Sequence, residues 1–193
     1  PADPQVAEAV DAYMQANPPS PGSLNRFFEQ VDVHGDLRLR HESHFARYNR
    51  SDRHRQRVRL RIGFAYPLDD EWTVGARLTT GDRTDPRSPH STLGDGFDSF
   101  EVSLDRAFAT YRPSSAPGVW LTAGKFAHPF KTNPVYGELV WDADIQPEGI
   151  AAGYTAKDIG FLDRFDFVVG EYVAIEQSDL DEASVLVVQI AAE

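Results

Sequence analysis

No cysteine occurs among the 193 residues, which excludes a disulfide framework and any thiolate metal site. No apolar run reaches the ~18 residues that a membrane-crossing helix needs. Basic residues are scarce in the last third: after Asn133 only Lys157 and Arg164 occur, against thirteen Asp and Glu. With a formal net charge of −11 the chain offers no net positive field to gather phosphates, so nucleic acid is excluded as a partner. The first residue is Pro1 rather than Met, which leads us to expect a processed protein whose leader has been cleaved.

What is present is periodic. Residues 4–17 place Val6, Ala9, Val10, Tyr13 and Met14 at helical spacing, with Asp3 as N-cap and Pro4 in the first turn. Pro18-Pro19-Ser20-Pro21-Gly22 ends this helix and reads as a linker. From residue 31 the period falls to two. Val31, Val33, Gly35, Leu37 and Leu39 alternate with Asp32, His34, Asp36, Arg38 and Arg40. Val58, Leu60, Ile62, Phe64 and Tyr66 alternate with Arg57, Arg59, Arg61, Gly63 and Ala65. Trp72, Val74, Ala76 and Leu78 alternate with Thr73, Gly75, Arg77 and Thr79. Such alternation marks two-faced strands, and their length suits a tilted strand crossing a bilayer. Less regular strands are expected at 100–111, 118–126, 149–156, 164–175 and 183–191, giving eight. The mean hydropathy of −0.43 does not oppose this, because only alternate residues of a β-barrel face lipid.

The connections carry the architectural signal. Long segments at 42–55, 80–99 and 127–148 alternate with short ones at 67–71, 112–118 and 157–163, and 176–182 follows. Outer-membrane barrels alternate in this way, with long loops outside and short turns in the periplasm. We therefore expect an all-β fold, an antiparallel transmembrane β-barrel over 31–193, behind a periplasmic helix and linker at 1–30. Tyr66, Trp72, Phe108, Tyr111 and Trp120 lie near strand ends, as interfacial girdle residues would.

Three segments, 55–81 (RQRVRLRIGFAYPLDDEWTVGARLTTG), 93–111 (LGDGFDSFEVSLDRAFATY) and 120–151 (WLTAGKFAHPFKTNPVYGELVWDADIQPEGIA), are similar in order and spacing to the bacterial "putative porin" family of outer-membrane barrels. The similarity runs over about residues 31–156. It implies a Gram-negative outer-membrane barrel that passes small polar or anionic solutes by passive diffusion. Lipid and lipopolysaccharide would surround it, and because trimers are common among porins the resemblance admits a homotrimer. Members are longer, and the chain closes on Ile190-Ala191-Ala192-Glu193 without a terminal aromatic. The resemblance thus implies the N-terminal part of a roughly 16-stranded barrel. The competing expectation is a small closed eight-stranded barrel, its interior filled by side chains, with a structural, adhesive or lipid-modifying role.

If the apolar face meets lipid, Arg38, Arg40, Arg57, Arg59, Arg61 and Arg77 form a basic wall on the other face, since arginine toward lipid costs about 2–4 kcal/mol at mid-bilayer. Arginine keeps its charge and holds anions in a planar fork. Carboxylates at Glu138, Asp142, Asp144 and Glu148 suggest a loop that folds inward to oppose that wall. The alternative is that carboxylates only neutralise the arginines, or that the loop is a solvated cap. Ca²⁺ could be held by oxygen-rich loops, with Asp179, Asp181 and Glu182 as one candidate set and Asp82, Asp85, Asp95 and Asp98 as another, but neither has EF-hand spacing. No other cofactor is expected. There is no Gly-x-Ser-x-Gly elbow, P-loop or His-Glu-x-x-His motif, so no enzyme is expected. The non-membrane competitor is a soluble carbohydrate-binding β-sandwich, which would bury Val58, Leu60, Ile62 and Phe64.

Overall fold

The computed structural model describes residues 28–46, 51–81, 88–94, 99–132, 135, 142–175 and 183–193. It divides into two units, Pro1–Val31 and Asp32–Glu193. In the first, the described residues form a helical turn at 28–30; the helix expected at 4–17 lies outside them. The second unit is one antiparallel sheet of nine strands.

The strands are β1 (Asp32–His44), β2 (Arg53–Pro67), β3 (Trp72–Thr80), β4 (Ser91–Leu93), β5 (Val102–Tyr111), β6 (Val119–Lys125), β7 (Glu148–Ile159), β8 (Leu162–Ile175) and β9 (Ala183–Ala192). They lie in the order β1-β2-β3-β5-β6-β7-β8-β9, with β4 paired to β2. Every strand of the main path pairs with its neighbour in sequence, the meander of an up-and-down barrel wall. The sheet is open, with β1 and β9 as its edges.

Two sequence expectations are corrected. Eight strands become nine, because the 80–99 connection contains β4. Extrapolating the β2–β3 register beyond Arg61↔Thr79 would put residue 82 opposite Val58, but Ser91 stands there, so nine extra residues intervene. β4 thus resumes the line of β3 after an excursion, and Thr80 Oγ1 donates to Pro89 O at 3.3 Å where the excursion closes. The second correction concerns 157–163, expected as a connection. β7 and β8 run on to Ile159↔Leu162, leaving a two-residue turn at Gly160-Phe161. The other short turns are held by local caps. Asp69 accepts from the Glu71 and Trp72 amides at 2.9 and 2.7 Å. Glu71 Oε1 accepts from the Ser114 amide and hydroxyl at 2.7 and 2.5 Å, joining two neighbouring turns and holding its carboxyl below the usual range.

The two faces of the sheet are inverted relative to a soluble protein. On the open face Leu60, Ile62, Leu78 and Leu104 are 41%, 53%, 48% and 55% exposed, whereas on the other face Arg59 and Arg77 are only 8% and 6% exposed. Water would drive those aliphatic side chains inward at about 25 cal/mol per Å². Leaving them outward fits hydrocarbon surroundings. It also removes the sandwich, because Leu60, Ile62 and Phe64, which that fold would bury, lie on the open face.

The covered face holds a small core on its second half. Phe126, Ala151 and Tyr172 are buried, with Phe108, Trp120, Phe130 and Val187 packed on them. Glycines make room for these rings. A Cβ on Gly75 would lie 2.6 Å from Phe108 Cζ, and one on Gly153 would collide with the Trp120 indole. The girdle expectation therefore splits. Trp72 and Tyr111 stack at 4.7 Å at the short-turn end, in register with Leu121 on the open face. Phe108 and Trp120 point the other way, into the core.

Candidate functional site

Strand pairing builds a block of charge on the covered face. The β1–β2 ladder sets Asp36 opposite Arg61, Arg38 opposite Arg59, Arg40 opposite Arg57 and Glu42 opposite Arg55. Directly opposed like charges are destabilising, so the two Arg–Arg pairs need counter-ions at either end. Glu42 receives Arg40 Nε at 2.8 Å, Arg57 Nη1 at 3.5 Å and the Arg55 guanidinium. Asp36 receives Arg59 Nη2 at 2.7 Å and Arg61 Nε at 2.6 Å. Arg77 forms a bidentate pair with Asp105, the shorter arm 2.6 Å.

A bulge brings two successive charged residues to one face, which strict alternation does not allow. Arg77 pairs with Arg106 and Leu78 with Leu104, leaving Asp105 as the extra residue. A bulge re-aims side chains, and here both Asp105 and Arg106 serve the covered face. The signal in the sequence was two adjacent charged residues inside an otherwise alternating strand.

Two chain segments lie on the arginine row. Asp144 Oδ1 accepts from Arg59 Nη1 at 3.0 Å and Arg61 Nη1 at 3.2 Å. Its own amide donates to Asp142 Oδ1 at 2.9 Å, which sets the turn. Gln146 Oε1 accepts from Arg106 Nε at 2.7 Å, and the Phe126 amide donates to Pro147 O at 3.1 Å, closing the neck of the segment. The start of the same connection reaches the far side of the covered face. The Lys131 amide donates to Gln189 at 2.8 Å, and its ammonium meets Asp166 at 3.0 Å and Glu193 at 2.6 Å. Those two carboxylates, Glu193 first, raise the lysine above its ordinary range. The second segment is 88–90. Arg57 Nη2 donates to Ser88 Oγ at 2.7 Å and His90 O at 2.8 Å.

Among the described residues the block thus holds eight arginines (38, 40, 55, 57, 59, 61, 77 and 106) and five carboxylates (36, 42, 105, 142 and 144), an excess of three positive charges. Arg38 forms no ion pair among them. Of the other expected site residues, Glu148 opens β7 and pairs with Lys125 on the open face, away from the arginines. Glu138 lies outside the described residues, as do Asp179, Asp181, Glu182, Asp82, Asp85, Asp95 and Asp98. The described residues contain no cluster of three His, Asp or Glu suited to a metal. Asp36, Glu42, Arg55, Asp105, Arg106 and Gln146 join the site without having been singled out by sequence.

A family model described as "Putative porin" matches residues 45–172, about two-thirds of the chain. The chain belongs to this porin family. No curated protein matches it. Family membership agrees with the open antiparallel sheet and its outward aliphatic face, and it points to a channel rather than an enzyme. No helix among the described residues is long and apolar enough to cross a membrane, a finding that does not bear on crossing by strands.

His90 gives this porin-family chain a pH-sensitive contact. Burial, then the charges of Arg59 and Arg57, hold its imidazole below the ordinary 6.5. Arg38 and Asp144 act on it from the neighbouring strand and loop. The folded state therefore binds fewer protons than the unfolded one, and stability at this contact rises with pH. It is present above pH 6.5 and lost as pH falls toward the depressed value. Amide exchange at 88–93, normalised for intrinsic rate, should speed up between pH 7 and pH 5. His90→Gln should abolish that dependence; an unchanged dependence would assign it to other groups.

Proposed function

We propose that the covered face lines an outer-membrane pore through which small polar or anionic solutes diffuse passively, and that Asp142–Pro147 narrows it against the arginine row. The observation carrying this reading is the bridge from Asp144 to Arg59 and Arg61, which brings a loop onto the buried charged face while aliphatic residues cover the opposite one. Fixed charges of opposite sign across a restricted passage orient dipolar solutes, and a net positive lining enriches anions. On this reading the open face meets lipid, and lipopolysaccharide surrounds the long-loop end. The unpaired edges of β1 and β9 would be closed by further strands or against one another, because unpaired backbone is not tolerated in hydrocarbon. β1 starts at the short-turn end, so the polypeptide before Asp32 would lie in the periplasm. A homotrimer is the assembly this family reading suggests.

The test is planar-bilayer conductance of the purified protein, with reversal potential measured across a salt gradient. Discrete steps with an anion-favouring reversal potential are expected. Correctly inserted but silent protein would overturn the pore. Asp144→Asn removes one carboxylate beside two arginines and should raise the anion-to-cation permeability ratio about twofold. An unchanged ratio would place Asp144 away from the ion path.

A further inference from the structure

At the short-turn end the covered face carries a second feature, distinct from the arginine row. A cleft of about 570 Å³ opens between the β5–β6 turn and strands β6 to β8, bordered by Arg112, Pro117, Trp120, Thr155, Lys157 and Arg164. Trp120 rests one side of its indole against Gly153. It also borders an adjoining recess of about 200 Å³ that reaches Lys131, Asp166 and Gln189.

The charges around these two spaces are unequally matched. Asp166 takes Arg164 Nε at 2.7 Å and Lys131 Nζ at 3.0 Å, and Glu193 takes Lys131 at 2.6 Å. Arg112 and Lys157 form no ion pair among the described residues, and no carboxylate borders the larger cleft. Two uncompensated cations therefore stand beside a large aromatic surface and two prolines, Pro113 and Pro117, in a space within the usual size range of small-molecule sites.

We propose that this cleft is a binding subsite for small aromatic carboxylates. The guanidinium of Arg112 and the ammonium of Lys157 supply charge-assisted donors for the carboxylate. The indole of Trp120 gives the ring a flat apolar partner, and aromatic pairs of this kind gain affinity beyond their buried area. An anion without a ring leaves the indole and prolines wet. A ring without a charge leaves the cations unmatched. The subsite rests on the reading of the covered face as the one that solutes reach.

The experiment is a tryptophan-fluorescence titration of the full chain in detergent with benzoate, acetate and benzyl alcohol, repeated on Lys157→Gln, Arg112→Gln and Trp120→Phe. Benzoate should quench saturably, with acetate and benzyl alcohol at least about tenfold weaker. Each charge-removing variant should weaken benzoate about fivefold, and Trp120→Phe should remove most of the quench while heat-modifiable mobility stays that of folded protein. Equal response to benzoate and acetate, or Lys157→Gln and Arg112→Gln both binding like the parent, would overturn the subsite. Channel steps without benzoate binding would remove the subsite and leave the pore. Benzoate binding in a silent bilayer would do the reverse.

Discussion

Replacing Leu60 and Ile62 together by arginine is expected to abolish membrane assembly. Both side chains lie on the open face of β2, exposed by 41% and 53%, in the middle of its aliphatic stretch. An arginine at mid-bilayer costs about 2–4 kcal/mol, so two shift the folding equilibrium by about three orders of magnitude or more. The conservative pair Leu60→Ile and Ile62→Leu keeps the surface apolar and should assemble normally. Heat-modifiable mobility after refolding into lipid vesicles reads the outcome. Arginine variants that assemble like the parent would show that this face does not contact lipid.

The second large effect is expected at Arg59 and Arg61. These two side chains share Asp36 and Asp144 as counter-ions. Converting both to glutamate turns eight arginines and five carboxylates into six and seven, so the described block loses its positive excess. The anion preference should vanish, with a fall of about tenfold in the anion-to-cation permeability ratio. Two glutamates beside Asp36 and Asp144 would also repel, so Asp144 should leave the wall. Open-channel current should become noisier as the loop loses its anchor. The glutamine pair separates these effects, since it removes the anchor without adding negative charge. An unaltered ratio in the glutamate variant would mean that ions do not pass this row.

Much of this was legible in the sequence. β1, β2 and β3 show strict alternation, because each has one face wholly different from the other. Alternation therefore put Arg57, Arg59, Arg61 and Arg77 together on one face, and they share the covered face of the sheet. The reading failed where one residue breaks the period of two. At Asp105 the bulge shifts the parity of β5, so Arg106 lay hidden in the pattern. β7 read weakly because Gly149, Ala151 and Gly153 are small. Gly153 admits the Trp120 indole, Gly149 lies close against the β8 backbone and Ala151 is buried with Tyr172, and only the packing reveals it. β4 was invisible because three residues carry no period, and its pairing is set by β2 rather than by its own composition. The contact of Asp144 with the arginines is a long-range event, fixed by where the chain returns. The charges of the loop suggested that it turns inward against the arginines, but not that Asp144 is the residue that meets Arg59 and Arg61.

The resumption of the β3 line by β4 has a further consequence. Because pairing restarts in register after nine added residues, the length of the excursion is uncoupled from the geometry of the wall. Segments of other lengths could be spliced between Gly81 and His90 while every downstream strand kept its partner. Insertions or deletions between Gly81 and His90 should leave the pairing of β5 to β9 unchanged.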